Sequence, residues 1–341
     1  MGLSGSGNNG HHDINGDMIA GATNVLKTVL SLERGEEMLI VLDDSKKDIG
    51  EAFAKGAAAL GASTNIYSLS KHKRPITEVP EDLRSMFRHH EVIINTFDTD
   101  PEETPFRVKL IYEEITYNAR VGHAPGITRE MMKNGPMQVD YGAIVKDAEH
   151  LMALFKDVKS VHITAPGGTD LTIDIEDRKF HTDVSINKGE FGNLPAGEIW
   201  CAPVEDGANG VLVVDGSIGD LGRLDEDIAI KIKDGRLESI SCEDIGLAKK
   251  LRRLCSVDEM AGVIGELGIG LNPGARLVGN LLEDEKAGGT AHIAFGNNLD
   301  MSGGSNQSCT HRDFLFLKPT FTATYKDGSE MIIIDFGEVV R

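Results

Sequence analysis

The chain has 341 residues and a formal charge of -19, with 40% hydrophobic and 26% charged residues. This length exceeds what one hydrophobic core usually serves, so we expect two domains of ordinary globular composition. The acidic balance argues against nucleic acid and anionic membrane surfaces as partners, because both require basic patches.

Cysteine usage and hydropathy bear on the compartment. No apolar run reaches the length of a membrane span, and no signal peptide is recognisable. The cysteines are scattered without C-x-x-C spacing, which predicts reduced thiols in a cytoplasmic protein. They are Cys201, Cys242, Cys255 and Cys309.

The first 17 residues differ in composition from the rest of the chain. They read MGLSGSGNNGHHDINGD, rich in Gly and Asn with almost no apolar content. Such a segment cannot bury enough apolar surface to fold. We therefore expect residues 1–17 to be a disordered leader or tag.

Residues 18–158 alternate between helical and strand patterns. The patterns predict helices at 19–32, 48–60, 81–87 and 141–155, and strands at 38–42, 63–69 and 91–97. Near-continuous apolar strands separated by helices are typical of a parallel sheet covered on both faces. The segment is thus predicted to be a Rossmann-like α/β domain. It has neither G-x-G-x-x-G nor G-x-x-x-x-G-K-[ST], so no motif supports nucleotide binding.

Residues 159–341 have the character of hairpins. LTIDIED alternates cleanly, and Asp-Gly pairs at 215/216, 234/235 and 327/328 are typical of tight turns. One helix is predicted at 243–255. The fold class is therefore an α/β N-terminal domain with a parallel sheet, followed by a β-rich α+β domain.

The stretch from Glu266 to Asp313 carries residues suited to a metal. Glu266, His292 and the pair His311 and Asp313 offer carboxylate oxygen and imidazole nitrogen, which suit Zn, Co, Mn or Fe in a catalytic site. On a strand, the H-R-D spacing directs both side chains to one face. The alternative is a hydrogen-bonded core His292 with a surface pair at 311 and 313.

Four segments in the second half resemble a known family. NLPAGEIWCAPVEDGANG, GELGIGLNPGA, LLEDEKAGGTAHIAFG and THRDF are similar to successive motifs of the M29 metallo-aminopeptidases, the aminopeptidase T or thermophilic aminopeptidase family. The resemblance implies a cytoplasmic, homodimeric enzyme with two divalent ions, Zn, Co or Mn, in the C-terminal domain. Their ligands would be Glu198, Glu266, His292, His311 and Asp313.

The resemblance is incomplete at one ligand. The family places a Tyr shortly after the first motif histidine, where this chain has Asn297, Asn298 and Leu299. Either Asn or water replaces the phenolate, or the chemistry has changed.

The chemistry implied is hydrolysis of N-terminal residues from short peptides. Two cations share a water, lower its pKa and polarise the scissile carbonyl. A further carboxylate acts as general base, and Glu205, Glu283 and Glu285 are the unranked candidates. Lys286 is a candidate for oxyanion stabilisation, with a solvated surface turn as the alternative.

Two other functions stay open. The chain also resembles a related branch with the same scaffold, the ring-cleaving dioxygenases of the dihydroxypyridine dioxygenase type. Such an enzyme would use one Fe(II) held by two His and a carboxylate. In that branch the position of Glu266 is His and that of Glu198 is apolar, so both glutamates favour the hydrolase. A binding or scaffolding protein with a vestigial site is the third possibility.

Overall fold

The computed structural model describes residues 16–341. Most of the predicted leader therefore lies outside the described residues, whereas Gly16 and Asp17 already belong to the first helix. The helices are α1 (Gly16–Thr28), α2 (Lys47–Leu60), α3 (Glu81–Arg84), α4 (Thr104–Thr116), α5 (Arg129–Lys133), α6 (Tyr141–Leu154), α7 (Ile245–Leu254) and α8 (Leu281–Asp284).

The strands fall into three sheets. In chain order they are β1 (Glu37–Leu42), β2 (Ser63–Ser68), β3 (Val92–Thr96), β4 (Arg120–His123), β5 (Val158–Thr164), β6 (Asp170–Asp174), β7 (His181–Thr182), β8 (Phe191–Asn193), β9 (Glu198–Cys201), β10 (Ala208–Val214), β11 (Ser217–Ile218), β12 (Gly222–Arg223), β13 (Ile228–Lys233), β14 (Arg236–Ser241), β15 (Ile264–Gly270), β16 (Thr290–Gly296), β17 (His311–Leu317), β18 (Thr320–Tyr325), β19 (Glu330–Asp335) and β20 (Glu338–Val339).

The first sheet is parallel, as predicted, with the order β2-β1-β3-β4-β8. Its central strands are buried along almost their whole length, which explains their continuous apolar sequences. Gly61 ends α2 in the left-handed conformation, with φ of 85°. The fifth strand, β8, comes from beyond the expected boundary at residue 158, so the chain returns to the first sheet after entering the second half.

The other two sheets are antiparallel and contain the rest of the second half. One has eight strands in the order β14-β13-β10-β6-β5-β18-β19-β20, and the other has seven in the order β12-β11-β17-β16-β15-β9-β7. The predicted fold class, a parallel α/β half followed by a strand-rich half, is confirmed.

The predicted turns are correct at two of the three Asp-Gly pairs. Positions 234/235 join β13 to β14 and positions 327/328 join β18 to β19, each within one sheet. The pair at 215/216 is different, because β10 lies in the eight-stranded sheet and β11 in the seven-stranded sheet. That turn transfers the chain between sheets and does not form a hairpin.

A shared apolar core joins the two halves. One hydrophobic cluster contains fully buried side chains from α1, the parallel sheet and both antiparallel sheets, among them Leu26, Ile94, Ile163 and Ile199. A second cluster, with Phe97 and Phe106, lies under α3 and α4. Within residues 16–341, no helix has the length and apolar character needed to cross a bilayer.

Candidate metal centre

The five residues predicted as metal ligands lie on four neighbouring strands. β17, β16, β15 and β9 are consecutive in the seven-stranded sheet. In chain order these strands carry Glu198, Glu266, His292, His311 and Asp313. The structure thus brings together residues that are 115 positions apart at the extremes. Their role as ligands stays a prediction.

The pattern G-E-L-G-I-G explains how β15 serves both the core and the site. Alternate side chains of a strand point to opposite faces. Leu267 and Ile269 belong to the hydrophobic core, so Glu266, Gly268 and Gly270 occupy the other face. The face of β15 that lies toward the site therefore carries the Glu266 carboxylate, followed by two glycines without side chains.

The missing side chain at Gly268 makes room for the imidazole of His292. The two residues are paired across β15 and β16, and a Cβ added to Gly268 would lie 1.9 Å from Nε2 of His292. Only glycine permits such an approach of backbone and ring.

Glu266 is the centre of the cluster. Its Oε1 lies 3.4 Å from Nε2 of His292 and its Oε2 lies 2.9 Å from Nε2 of His311, whose Nε2 is also 3.5 Å from Oδ1 of Asp313. Ligand atoms of Glu266, His292 and Asp313 all lie within 4.8 Å of one another. One divalent ion fits within such a set of nitrogen and oxygen donors.

The electrostatics of the cluster are those of a site that attracts cations. Burial raises the pKa of Glu266, but hydrogen bonds and charge from His292 and His311 hold it well below the usual range. Burial lowers the pKa of His292, yet Glu266 and Glu198 outweigh it and raise that pKa to about 9. The pKa of His311 is raised by Asp313 and Glu266 against the effect of burial. Without a metal, the imidazoles therefore hold protons as compensating charge.

Lys286 links Glu198 to two further carboxylates. Its side chain is 0% exposed, and its Nζ contacts Glu198 Oε1, lies 2.7 Å from Glu285 Oε1 and 3.3 Å from Asp183 Oδ2. An ammonium has three N–H donors, and here each faces a carboxylate. The predicted solvated turn at Lys286 is therefore wrong, whereas oxyanion stabilisation stays a prediction. Lys286 positions Glu198.

The donor set fits two divalent cations by charge. Five carboxylates and one ammonium give the buried cluster a formal charge of -4 when the imidazoles are neutral: Asp183, Glu198, Glu266, Glu285, Asp313 and Lys286. Burial raises the pKa of Glu198 and of Glu285, so full ionisation requires added positive charge. Glu198 Oε2 is buried without a hydrogen-bond partner, 3.6 Å from Nε2 of His292. An unpaired buried carboxylate oxygen is costly unless a cation binds it.

Of the three predicted catalytic glutamates, the structure brings Glu285 to the cluster. Glu285 contacts Lys286 and accepts a hydrogen bond of 3.2 Å from Asn193 Nδ2. Glu205 instead pairs with Arg178 and accepts hydrogen bonds from Ser305. Glu283 accepts from the backbone N–H of Arg276. Neither Glu205 nor Glu283 contacts any of the five predicted ligands.

The segment that replaces the family tyrosine has a structural role. The Asn298 side chain donates to the Gly265 carbonyl at 3.1 Å and accepts from the Asn306 N–H at 2.7 Å, so it is not free to replace a phenolate. The Asn297 carbonyl lies 2.7 Å from Nδ1 of His311. Donation by Nδ1–H would leave Nε2 as the free ligand atom, which faces Glu266.

Sequence reasoning missed Asp183 and Asn193. Asp183 accepts hydrogen bonds from the backbone N–H groups of Gly197 and Glu198, at 2.8 and 3.2 Å, and so fixes the start of β9. Asn193 ends β8 and joins the first sheet to Glu285. Neither residue has a motif that distinguishes it from an ordinary loop residue.

Comparison with solved structures shows that the fold recurs. The chain is similar to wild-type AmpT from Thermus thermophilus, with 17% identity, a TM-score of 0.70, and coverage of 95% of this chain and 99% of that one. It is also similar to 2,5-dihydroxypyridine dioxygenase from Pseudomonas putida KT2440, with 18% identity, a TM-score of 0.69, and coverage of 95% and 96%. At these identities the likeness concerns the fold. No curated protein sequence matches the chain.

The family comparison defines the class of the protein as a metal-dependent peptidase, which is a hydrolase. A family model described as thermophilic metalloprotease (M29) matches residues 139–339, more than half of the chain. The chain belongs to the M29 family, which confirms the predicted resemblance. Divalent metal use follows from this membership.

Proposed function

We propose that the protein is a dinuclear metallo-aminopeptidase that removes N-terminal residues from short peptides. The observation that carries the proposal is the buried acidic cluster, whose formal charge of -4 balances two divalent cations. Five candidate ligands also exceed what one tetrahedral site requires. Zn, Co and Mn are the ions that suit these donors.

The ligands divide into two groups around Glu266. Nε2 of His292 lies near Oε1 of Glu266 and Oε2 of Glu198, and Nε2 of His311 lies near Oε2 of Glu266 and Oδ1 of Asp313. Glu266 therefore suits a bridging role between two cations. Bound divalent ions would supply Lewis acidity and a water of lowered pKa.

Glu285 is the proposed general base. Burial raises its pKa, aided by the charge of Asp313, although Lys286 and His292 oppose the change. A carboxylate of raised pKa can accept a proton from the attacking water and return it to the leaving amine. Asn193 and Lys286 hold its Oε1, so its direction is fixed.

The retained glutamates favour the hydrolase over a ring-cleaving dioxygenase. The dioxygenase scaffold would use one Fe(II) with two histidines and one carboxylate, for which His292, His311 and Asp313 are sufficient. Glu198 and Glu266 would then be surplus charges in a buried site. Glu266 faces both imidazoles and Glu198 faces that of His292, an arrangement that supports a second cation.

The test is hydrolysis of leucyl or methionyl amides and short peptides without oxygen, in protein reconstituted with Zn or Co. Cleavage should need no reductant, and N-acetylation of the same peptides should abolish it, because the site is organised for a free amine. Two ions per chain should be found by elemental analysis. Oxygen consumption with a dihydroxylated pyridine only in Fe(II)-loaded protein, with every free peptide left intact, would refute the assignment.

We further propose that the protein acts in the cytoplasm as a homodimer. The four free cysteines support a reducing compartment. The acidic charge disfavours nucleic acid and anionic membranes as partners. Sedimentation analysis that returns a monomer at micromolar concentration would contradict the dimer.

A further inference from the structure

A row of paired residues crosses the face of the seven-stranded sheet that carries the metal centre. Residues directly opposite each other on neighbouring strands point to the same face. Gly268 on β15 is paired with Trp200 on β9 and with His292 on β16. The row continues from His292 to Leu315 on β17, and from Trp200 to His181 on β7. Trp200 therefore lies on the same face of the sheet as His292.

Trp200 is close to the atoms predicted to bind metal. Nε2 of His292 lies 1.9 Å from the position that a Cβ would take on Gly268. The Cβ positions of directly paired residues are about 5 Å apart, so this Nε2 lies within about 7 Å of the Cβ of Trp200. Glu198 precedes Trp200 by two residues on β9 and so points to the same face, with its Oε2 3.6 Å from the same Nε2. A substrate bound at these ligand atoms lies beside the indole.

The hydrophobic core does not account for Trp200. Its neighbours on β9, Ile199 and Cys201, are fully buried in the larger hydrophobic cluster on the opposite face of the sheet. Within residues 16–341, neither hydrophobic cluster includes Trp200. The Trp200 residue is half-buried, and the centroid of its indole lies 6.3 Å from that of the His181 ring. The indole is therefore an aromatic surface on the face that carries the metal centre.

The other side chains around the predicted ligand atoms offer little apolar surface to a ligand. Glu198, Glu266 and His292 supply charge and hydrogen-bonding atoms and are 1–6% exposed. Leu315, the other apolar side chain of the row, is 0% exposed. Ligand pockets combine a few placed polar groups with apolar and aromatic walls. Within this row, Trp200 is the side chain that can supply such a wall.

We propose that Trp200 forms the wall of the pocket for the side chain of the substrate's N-terminal residue, and that it favours large apolar side chains such as those of Leu and Met. This proposal rests on the aminopeptidase function proposed above. The α-amine and the scissile carbonyl of such a substrate are bonded to the same Cα, so the first side chain is the one nearest the ligand atoms. The next Cα is about 3.8 Å farther along the peptide. Burial of one Leu side chain corresponds to about 10- to 100-fold in affinity.

The first test uses the fluorescence of zinc-loaded wild type. The chain has one tryptophan, so selectively excited tryptophan emission reports on residue 200 alone. Leucine hydroxamate and glycine hydroxamate carry the same amine and metal-binding groups and differ only in the side chain. Leucine hydroxamate should shift the emission to shorter wavelength and bind about 10- to 100-fold more tightly than glycine hydroxamate. Equal affinities with equal emission changes would overturn the proposal, because the indole would then recognise groups common to both ligands.

The second test compares three peptides of equal length and charge: leucyl-glycyl-glycine, glycyl-leucyl-glycine and triglycine. In wild type, kcat/KM should be about 10- to 100-fold higher for leucyl-glycyl-glycine than for triglycine. Trp200→Ala should lower this ratio at least about 5-fold, and Trp200→Phe should retain most of it. A residue that only stabilises the fold would lower activity toward both peptides and leave the ratio unchanged.

The matched control is Tyr117→Ala. Tyr117 is an exposed aromatic residue that precedes the amino end of β4, whereas Asn193, which contacts Glu285, is paired with the carboxyl end of β4. The ratio of leucyl-glycyl-glycine to triglycine in this variant should equal that of wild type.

The outcomes distinguish failure of the pocket from failure of the proposed function. If wild type and Trp200→Ala cleave the peptides with the same ratio, the role of Trp200 is overturned and the aminopeptidase stands. If Trp200→Ala instead loses a preference for glycyl-leucyl-glycine, the indole contacts the second residue and the N-terminal assignment is overturned. If no unblocked peptide is cleaved, the aminopeptidase and the pocket both fall. The fluorescence test needs no substitution, so it decides the role of Trp200 even if Trp200→Ala does not fold.

Discussion

Replacement of Lys286 by Met tests whether its ammonium holds the acidic cluster together. Met has similar length but no charge, so Lys286→Met leaves Asp183, Glu198 and Glu285 buried without their shared cation. Removal of one partner from a buried ion pair costs about 3–5 kcal/mol. At about 2 °C per kcal/mol for a chain of this size, the thermal midpoint should fall by about 6–10 °C.

The pH dependence of the stability lost in Lys286→Met identifies the cause of that loss. Burial already raises the pKa of Glu198 and Glu285, and loss of Lys286 should raise both further. Carboxyl groups with a raised folded-state pKa bind protons more tightly in the folded state than in the unfolded state. The stability of the variant relative to wild type should therefore decline as pH rises from 5 to 8.

The assay is thermal unfolding of metal-free protein by circular dichroism at pH 5 and pH 8, at one heating rate. Lys326→Met is the matched control, since Lys326 pairs with Asp177 at the surface and the change should leave the midpoint near that of wild type. A Lys286→Met midpoint equal to wild type at pH 8 would refute the reasoning. A fall in midpoint relative to wild type that is larger at pH 5 than at pH 8 would also refute it.

Two further predictions concern the metal. Gly268→Ala should lower the affinity for divalent ions at least about 10-fold, measured by calorimetry, because the new Cβ would lie 1.9 Å from His292 Nε2 and must displace the ring; unchanged affinity would show that His292 is not a ligand. Because the pKa of His292 is about 9 without metal, ion binding must release its proton. Affinity should therefore rise with pH up to about 9, with proton release detected as a dependence of the binding enthalpy on the buffer; a pH-independent affinity would contradict this.

Periodic segments of the fold were predictable from sequence. The strand predicted at 38–42 and the helix predicted at 48–60 correspond to β1 and α2 within a residue at each end. Both have strong patterns, and Gly61 ends the helix. Strand β8 was not predictable, because its three residues carry no periodicity and its pairing partner is about 70 positions earlier in the chain.

For the site, the residue types that could bind a metal were more predictable than the contacts between those residues. The histidine and carboxylate residue types predict a metal site. The H-R-D spacing of His311 and Asp313 predicts that both side chains share one face of a strand. By contrast, E-D-E-K predicts a surface turn as readily as a buried one, so the burial of Lys286 required the fold. The choice of Glu285 over Glu205 also depends on long-range contacts that no local pattern encodes.

Strand β8 has a consequence for biosynthesis. The first sheet cannot be completed until residue 193 has left the ribosome, after β5, β6 and β7 of the other sheets have already emerged. A fragment that stops at residue 158 would leave the backbone groups of β4 unpaired along an open edge, which promotes association with other chains. The amino-terminal half is therefore unsuited to separate expression, and any truncation for study should extend past Asn193.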